Sequence, residues 1–241
     1  MATLRSAGLL VGANGATRSR ISEEISLVRH QVMRTAAGAA QAEGRSGRII
    51  LVTSARPGEG KTFVSLNLAG SIAAGGGAPV LLVDADGKRG SLTELLGLAE
   101  SPGLRQLAAG APTPSPASLA IATELPRLSI LPQGLSQEAA PATSSGAAAI
   151  LRLSRSLPDH LIILDSPPCL ATSDPTGLAA VAGQVLMVVQ AERTRRAEVE
   201  AALDLVDACP VLQLVLNKMR NTSNDAFGAY DYGGPYGGGG G

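Results

Sequence analysis

Residues 55–62 read Ala-Arg-Pro-Gly-Glu-Gly-Lys-Thr. The apolar run Ile49–Thr53 precedes them, and a helical pattern over Lys61–Ala74 follows. A strand, a glycine-bearing loop and a helix in that order make a cradle for phosphate, because the loop's N–H groups and the helix N-terminus converge on one anion. Lys61 then reaches the β and γ phosphates, and the Thr62 hydroxyl is placed to ligate Mg²⁺. Pro57, Gly58, Glu59, Gly60, Lys61 and Thr62 are the candidate nucleotide-binding residues. Ala55 stands where the commonest form of the loop has Gly.

A cradle of this kind belongs on a parallel sheet, and the rest of the chain agrees. Short apolar runs recur at Val80–Val83, Leu128–Leu131, Leu161–Leu164, Val185–Val189 and Leu212–Leu216. Helical patterns at Gly146–Ser156, Thr176–Ala182 and Arg195–Cys209 fall between them. Apolar runs without strict alternation, separated by helices, predict an α/β fold: a mostly parallel central sheet with helices on both faces. The segment Ala109–Pro126, rich in Pro, Ala and Ser, is expected to be a loop or excursion.

Three units are expected: an arm over 1–46, a nucleotide-binding domain over 47–220 and a tail over 221–241. In the arm, Ile21, Ile25, Val28 and Val32 predict a helix over Ile21–Met33, capped by Ser22 and with Glu23 and Glu24 in its first turn. Such an arm docks on something rather than folding alone.

Two further motifs end apolar runs with acids. Val83-Asp84-Ala85-Asp86 and Leu164-Asp165-Ser166-Pro167-Pro168 place carboxylates at the carboxyl edge of the sheet, where open α/β sheets bind ligands. Alternation puts Asp84 and Asp86 on one side if the strand stays extended. Carboxylates beside a phosphate imply Mg²⁺ or a proton acceptor; the plainer alternative is an acidic turn capping the next helix. Asn217, at the end of another apolar run, either reads a base edge or is a turn residue.

The chain's 20 basic residues balance its 20 acidic ones, which argues against a general grip on nucleic acid. Cys169 and Cys209 make no disulfide framework, so a reducing cytoplasm is expected. No run of about 18 apolar residues predicts a spanning helix, and the short Ala7–Ala13 stretch is too glycine-broken for a secretion signal.

Aromatic residues are only 2% of the chain, yet all three tyrosines, Tyr230, Tyr232 and Tyr236, fall in the glycine-rich stretch Gly228–Gly241. Glycine-rich sequence cannot bury enough apolar surface to order itself, so these tyrosines are no core anchors. On a flexible tail attached to a nucleotide-binding domain they are candidate phosphate acceptors; the alternative is a sticky low-complexity tail.

Together, the loop Ser54–Thr62, Asp84-Ala85-Asp86, Asp165-Ser166-Pro167-Pro168, Asn67-Leu68-Ala69, Leu216-Asn217-Lys218 and the Tyr/Gly tail resemble the bacterial tyrosine autokinases of exopolysaccharide and capsule export, most of all the exosortase-associated subgroup. The resemblance spans about residues 20–241. It implies ATP and Mg²⁺ as cofactors, with Lys61, Asp84 and Asp86 catalytic. Asp84 would activate the attacking hydroxyl, Thr62, Asp86 and Asp165 would hold the metal, and Asn217 would join the nucleotide site. It also implies phosphate transfer to Tyr230, Tyr232 and Tyr236 of a neighbouring copy, homo-oligomerisation, and a membrane polysaccharide co-polymerase or chain-length determinant that brings the cytoplasmic chain to the inner membrane. Lys88 stands where this family's acidic motif usually has Arg, and Ser26 where its oligomerisation helix often has a basic residue. The competing expectation is a non-kinase ATPase switch of the partition or division-site type, which uses the same sheet but carries a signature lysine where this chain has Arg56.

Overall fold

The computed structural model of the chain describes residues 4–10, 19–38, 45–109, 115–135 and 144–219. In chain order the elements are α1 (Arg20–Gly38), β1 (Ser46–Ser54), α2 (Lys61–Ala74), β2 (Val80–Asp84), α3 (Leu92–Leu95), α4 (Leu104–Ala108), α5 (Pro116–Leu119) and β3 (Ile121–Ala122). They continue with β4 (Leu128–Leu131), α6 (Ser144–Ser156), β5 (Leu161–Asp165), α7 (Asp174–Ala179), β6 (Ala182–Gln190), α8 (Arg196–Asp204) and β7 (Leu212–Asn217).

Seven strands form one sheet in the order β3-β4-β2-β5-β1-β6-β7. All neighbours pair in parallel except β3, which runs antiparallel to β4. The apolar runs lack alternation because both sheet faces are covered. Ile49 and Leu51 of β1 pack into one core with Leu104, Ile150, Leu153, Leu178 and Ala202 from α4, α6, α7 and α8. Ile50 and Val52, their neighbours in sequence, point into the opposite core with Val32, Leu66, Leu68 and Ile72 from α1 and α2.

The arm docks on its own chain. Arg29 donates to the Ser71 carbonyl at 3.1 Å, and buried Gln184 donates to the Val32 carbonyl at 3.1 Å. Asn67, buried in α2, accepts the Leu10 N–H at 2.8 Å and donates to the Gly8 carbonyl at 3.1 Å, so residues 4–10 lie along the same helix.

Several sequence-based boundaries move. Helix α1 starts at Arg20, and Ser19 caps it; Ser22 returns the bond to the Ser19 N–H at 2.9 Å from inside the first turn. Helix α7 begins at Asp174 rather than Thr176, and Ala182 already belongs to β6. Helix α8 stops at Asp204, and turns carry the buried Val206 and Cys209. The Ala109–Pro126 excursion contains α5 and β3, which extends the sheet.

Candidate functional site

The carboxyl ends of β1, β5 and β2 lie side by side, and each contributes to one site. Strand β1 delivers the phosphate-loop sequence. Gly58 and Gly60 take left-handed backbone conformations, with φ of 81° and 97°. Gly60 must lack a side chain, because a Cβ there would sit 2.2 Å from Asn217 Nδ2. No side chain caps α2, and its first turn holds no acid, so its free N–H groups and the dipole's positive end stay available to an anion.

Glu59 departs from its expected place. It is 2% exposed. Its carboxylate turns inward, accepting the N–H of Arg56 at 2.6 Å, the N–H of Gln190 at 3.2 Å and the Thr194 hydroxyl. Glu59 therefore braces the loop, and only its backbone faces a ligand.

Lys61, the first residue of α2, pairs with Asp86 at 2.7 Å. Both side chains are largely withdrawn from solvent, at 12% and 8% exposure. The strand ends at Asp84, so strand alternation does not extend to Asp86. The Asp84 carboxylate, fully buried, accepts the Asp86 N–H at 3.0 Å and the Thr93 N–H at 2.7 Å. Folding the chain back onto Asp84 is what swings Asp86 over to Lys61.

Asp165 lies beside Asp84 in the register of β2 and β5. Its Oδ1 accepts the Ser65 hydroxyl at 3.1 Å. Burial pushes its carboxyl up to about 7, against opposing pulls from the Lys61 charge and the Thr62 hydroxyl. The loop after it is tied to β1: Ser166 N–H donates to the Val52 carbonyl at 3.1 Å, and the Thr53 hydroxyl donates to the Pro167 carbonyl at 2.8 Å.

No family model matches the chain. Curated relatives do. The tyrosine-protein kinase ptk of Acinetobacter johnsonii is 31% identical over 210 residues, covering 84% of this chain and 27% of that protein. The tyrosine-protein kinase wzc of Salmonella typhimurium is 31% identical over 189 residues, covering 76% and 26%. The chain therefore spans about a quarter of the length of these relatives. It covers 83% of the tyrosine-protein kinase CpsD of Streptococcus agalactiae, at 29% identity over 195 residues. The solved chimerical protein CapA2B2 superposes with a TM-score of 0.68 at 27% identity, covering 85% of this chain and 87% of that one. The chain belongs to the bacterial tyrosine-protein kinase family.

The family's sheet is shared more widely. MinD, in the MinC:MinD cell division complex of Aquifex aeolicus, superposes with a TM-score of 0.59 at 21% identity over 71% of this chain, a likeness of fold alone.

The donor set of this kinase-family chain fits a magnesium nucleotide. Asp86 Oδ1 and Asp165 Oδ2 are buried without a hydrogen-bond partner. Buried carboxylate oxygens left bare are costly unless a cation or proton meets them. Among the described residues no three acids, histidines or cysteines converge into a protein-only cage. Mg²⁺ needs none, since it keeps waters and takes one or two carboxylates with substrate phosphates. Beside the loop opens a cavity of about 530 Å³, lined by Arg56, Arg193 and Lys218 together with Gln190 and Thr194.

Asn217 sits at the end of β7, where its Nδ2 donates to the Glu59 carbonyl at 2.9 Å. Its amide nitrogen is thus committed to the loop. Gln190, Thr194 and Ser65 join the site without having been singled out in sequence, and Lys218 joins it from the Leu216-Asn217-Lys218 motif, where it had been given no role of its own. Only Lys218 carried any signal, its place beside Asn217. Tyr230, Tyr232 and Tyr236 lie outside the described residues.

Proposed function

We propose that the chain is an ATP-dependent protein-tyrosine autokinase that phosphorylates Tyr230, Tyr232 and Tyr236. The supporting observation is the meeting of Lys61, Asp86 and Asp165 at the phosphate loop with two buried carboxylate oxygens unpartnered. The loop amides, Lys61 and the α2 N-terminus hold the phosphates. Thr62, Asp86 and Asp165 hold Mg²⁺, which when bound neutralises charge on the β and γ phosphates. The tyrosine oxygen bonds to the γ-phosphorus, the bond from that phosphorus to the bridging oxygen breaks, and ADP leaves with the bond's electrons. The tyrosine proton passes to Asp84, whose two oxygens each hold one backbone N–H and retain a further lone-pair site.

In this proposal copies of the chain assemble and transfer phosphate between neighbours. A membrane polysaccharide co-polymerase recruits them from the cytoplasm to the inner membrane, where phosphorylation regulates polysaccharide export. No helix among the described residues is long and apolar enough to cross a membrane.

The test is peptide mass spectrometry of the full chain after incubation with Mg-ATP. Phosphate should appear on the tail tyrosines and vanish in Lys61→Met. ATP hydrolysis with no phosphotyrosine, stimulated by lipid or DNA, overturns the kinase assignment in favour of a partition-type switch.

A further inference from the structure

The end of β7 grips the phosphate loop from outside. Lys218 Nζ donates to the Gly58 carbonyl at 2.5 Å, and Asn217 Nδ2 donates to the Glu59 carbonyl at 2.9 Å. These are consecutive carbonyls, so two successive peptide planes are held. In a trans peptide the C=O and the following N–H point in opposite directions. Holding the Gly58 carbonyl toward Lys218 turns the Glu59 N–H the other way, and holding the Glu59 carbonyl does the same for the Gly60 N–H. Among the described residues, neither N–H makes a hydrogen bond within the chain. Two aimed, unspent donors face away from the clamp.

The clamp is itself fixed. Asn217 pairs with Gln190 across β6 and β7, and its carbonyl accepts the Ala191 N–H at 2.9 Å. Gln190 in turn donates its N–H to the Glu59 carboxylate at 3.2 Å. Lys218 holds a left-handed backbone conformation, with φ of 59°. A side chain there carries strain that glycine would not. Glycine, however, could not supply the ammonium that meets Gly58. The absent Cβ at Gly60 completes the fit, since one would collide with Asn217.

We propose that Lys218 is a positioning residue for phosphate: with Asn217, it aims the Glu59 and Gly60 amides at the phosphates of the bound nucleotide. This rests on the nucleotide-binding function of the loop. Its action runs through the loop backbone, so it concerns the polyphosphate and not the nucleoside.

Isothermal titration calorimetry of the full chain with two probes separates these possibilities: Mg-ADP, and magnesium tripolyphosphate, which has no base or sugar. Lys218→Met should weaken both by a similar factor, on the order of tenfold, as expected for losing well-aimed hydrogen bonds to a charged group. Lys218→Arg, which keeps a charged donor, should restore most of the affinity. Lys218→Gly relieves the backbone, so it should melt close to the wild type while showing the full loss for both probes. Unchanged affinities in Lys218→Met overturn the assignment. So does a loss confined to Mg-ADP, which would place Lys218 against the nucleoside. A loss that disappears at high ionic strength marks a distant charge effect and also overturns it. A wild-type chain that binds neither probe removes the nucleotide-binding function together with this one.

Discussion

Asp165 shows how position alone changes the chemistry of a carboxyl. Its neighbours in sequence are the leucines and isoleucines of β5, and the fold withdraws it fully from water. Its carboxyl is raised from the ordinary 3.8 to about 7, burial being the main cause. The native chain therefore keeps a proton that the unfolded chain gives up between pH 4 and pH 7. This group's contribution to stability is fully present below pH 4, is lost as pH rises through 7, and is flat above. The span is at most on the order of 4 kcal/mol. Asp165→Asn, which cannot ionise, should lose that slope and resist urea better than the wild type at pH 8 in the absence of nucleotide. The advantage should shrink steadily toward pH 4, and a gap constant with pH would show that the carboxyl is not held neutral. Glu59 makes the complementary point. Both are acids at the phosphate loop, but three donors meet the Glu59 carboxylate and it serves as a structural brace.

Elements differ in how openly the sequence announces them. The 3.6-residue spacing of Ile21, Ile25, Val28 and Val32 marked α1, yet only Ile25 and Val32 are buried, and Ile21 is 47% exposed. The docking partner was hidden, because α2 is apolar and small-residued all round and offers no stripe that points to α1. Val32→Ala should therefore cost about 1–3 kcal/mol in chemical denaturation, the range for emptying a buried branched side chain. Arg29→Ala, at the partly buried contact with Ser71, should cost less. The parallel strands were legible because each buries both faces. Their helices were less so at the ends. Asp174-Pro175 opens α7, a start signal outweighed in the sequence by the apolar run that follows. Val206 and Cys209 continue a helical rhythm but occupy turns, since burial selects apolar residues whatever the backbone does. Strand β3, two residues long, exists only because β4 offers it an edge.

At the scale of the molecule, sheet order makes the site. Strands β1, β5 and β2 are neighbours in space but come from segments up to about 115 residues apart, and their carboxyl ends bring Lys61, Asp165 and Asp84 together. Each acid could be picked out in sequence as the end of an apolar run. The bracing of the loop by β6 and β7 could not, because it depends on strand neighbours that no local pattern encodes. The same edge decides how the tail is reached. Lys218 touches Gly58, so the last described residues of the chain lie beside the phosphate loop. A tether of ten to twenty residues gives a local concentration in the millimolar range when geometry permits contact. Transfer within one chain would then outpace transfer between micromolar chains, at a rate independent of dilution. Transfer between neighbours predicts the opposite. A chain carrying Lys61→Met keeps every tyrosine but should not act, and a chain ending at Met219 keeps the loop but has no acceptor. Mixed with Mg-ATP, the pair should place phosphotyrosine on the Lys61→Met chain, at an initial rate that rises with the concentration of the shortened one. A mixture that stays unlabelled, beside a wild-type chain that labels itself at a rate unchanged by dilution, would instead assign the transfer to the chain's own tail.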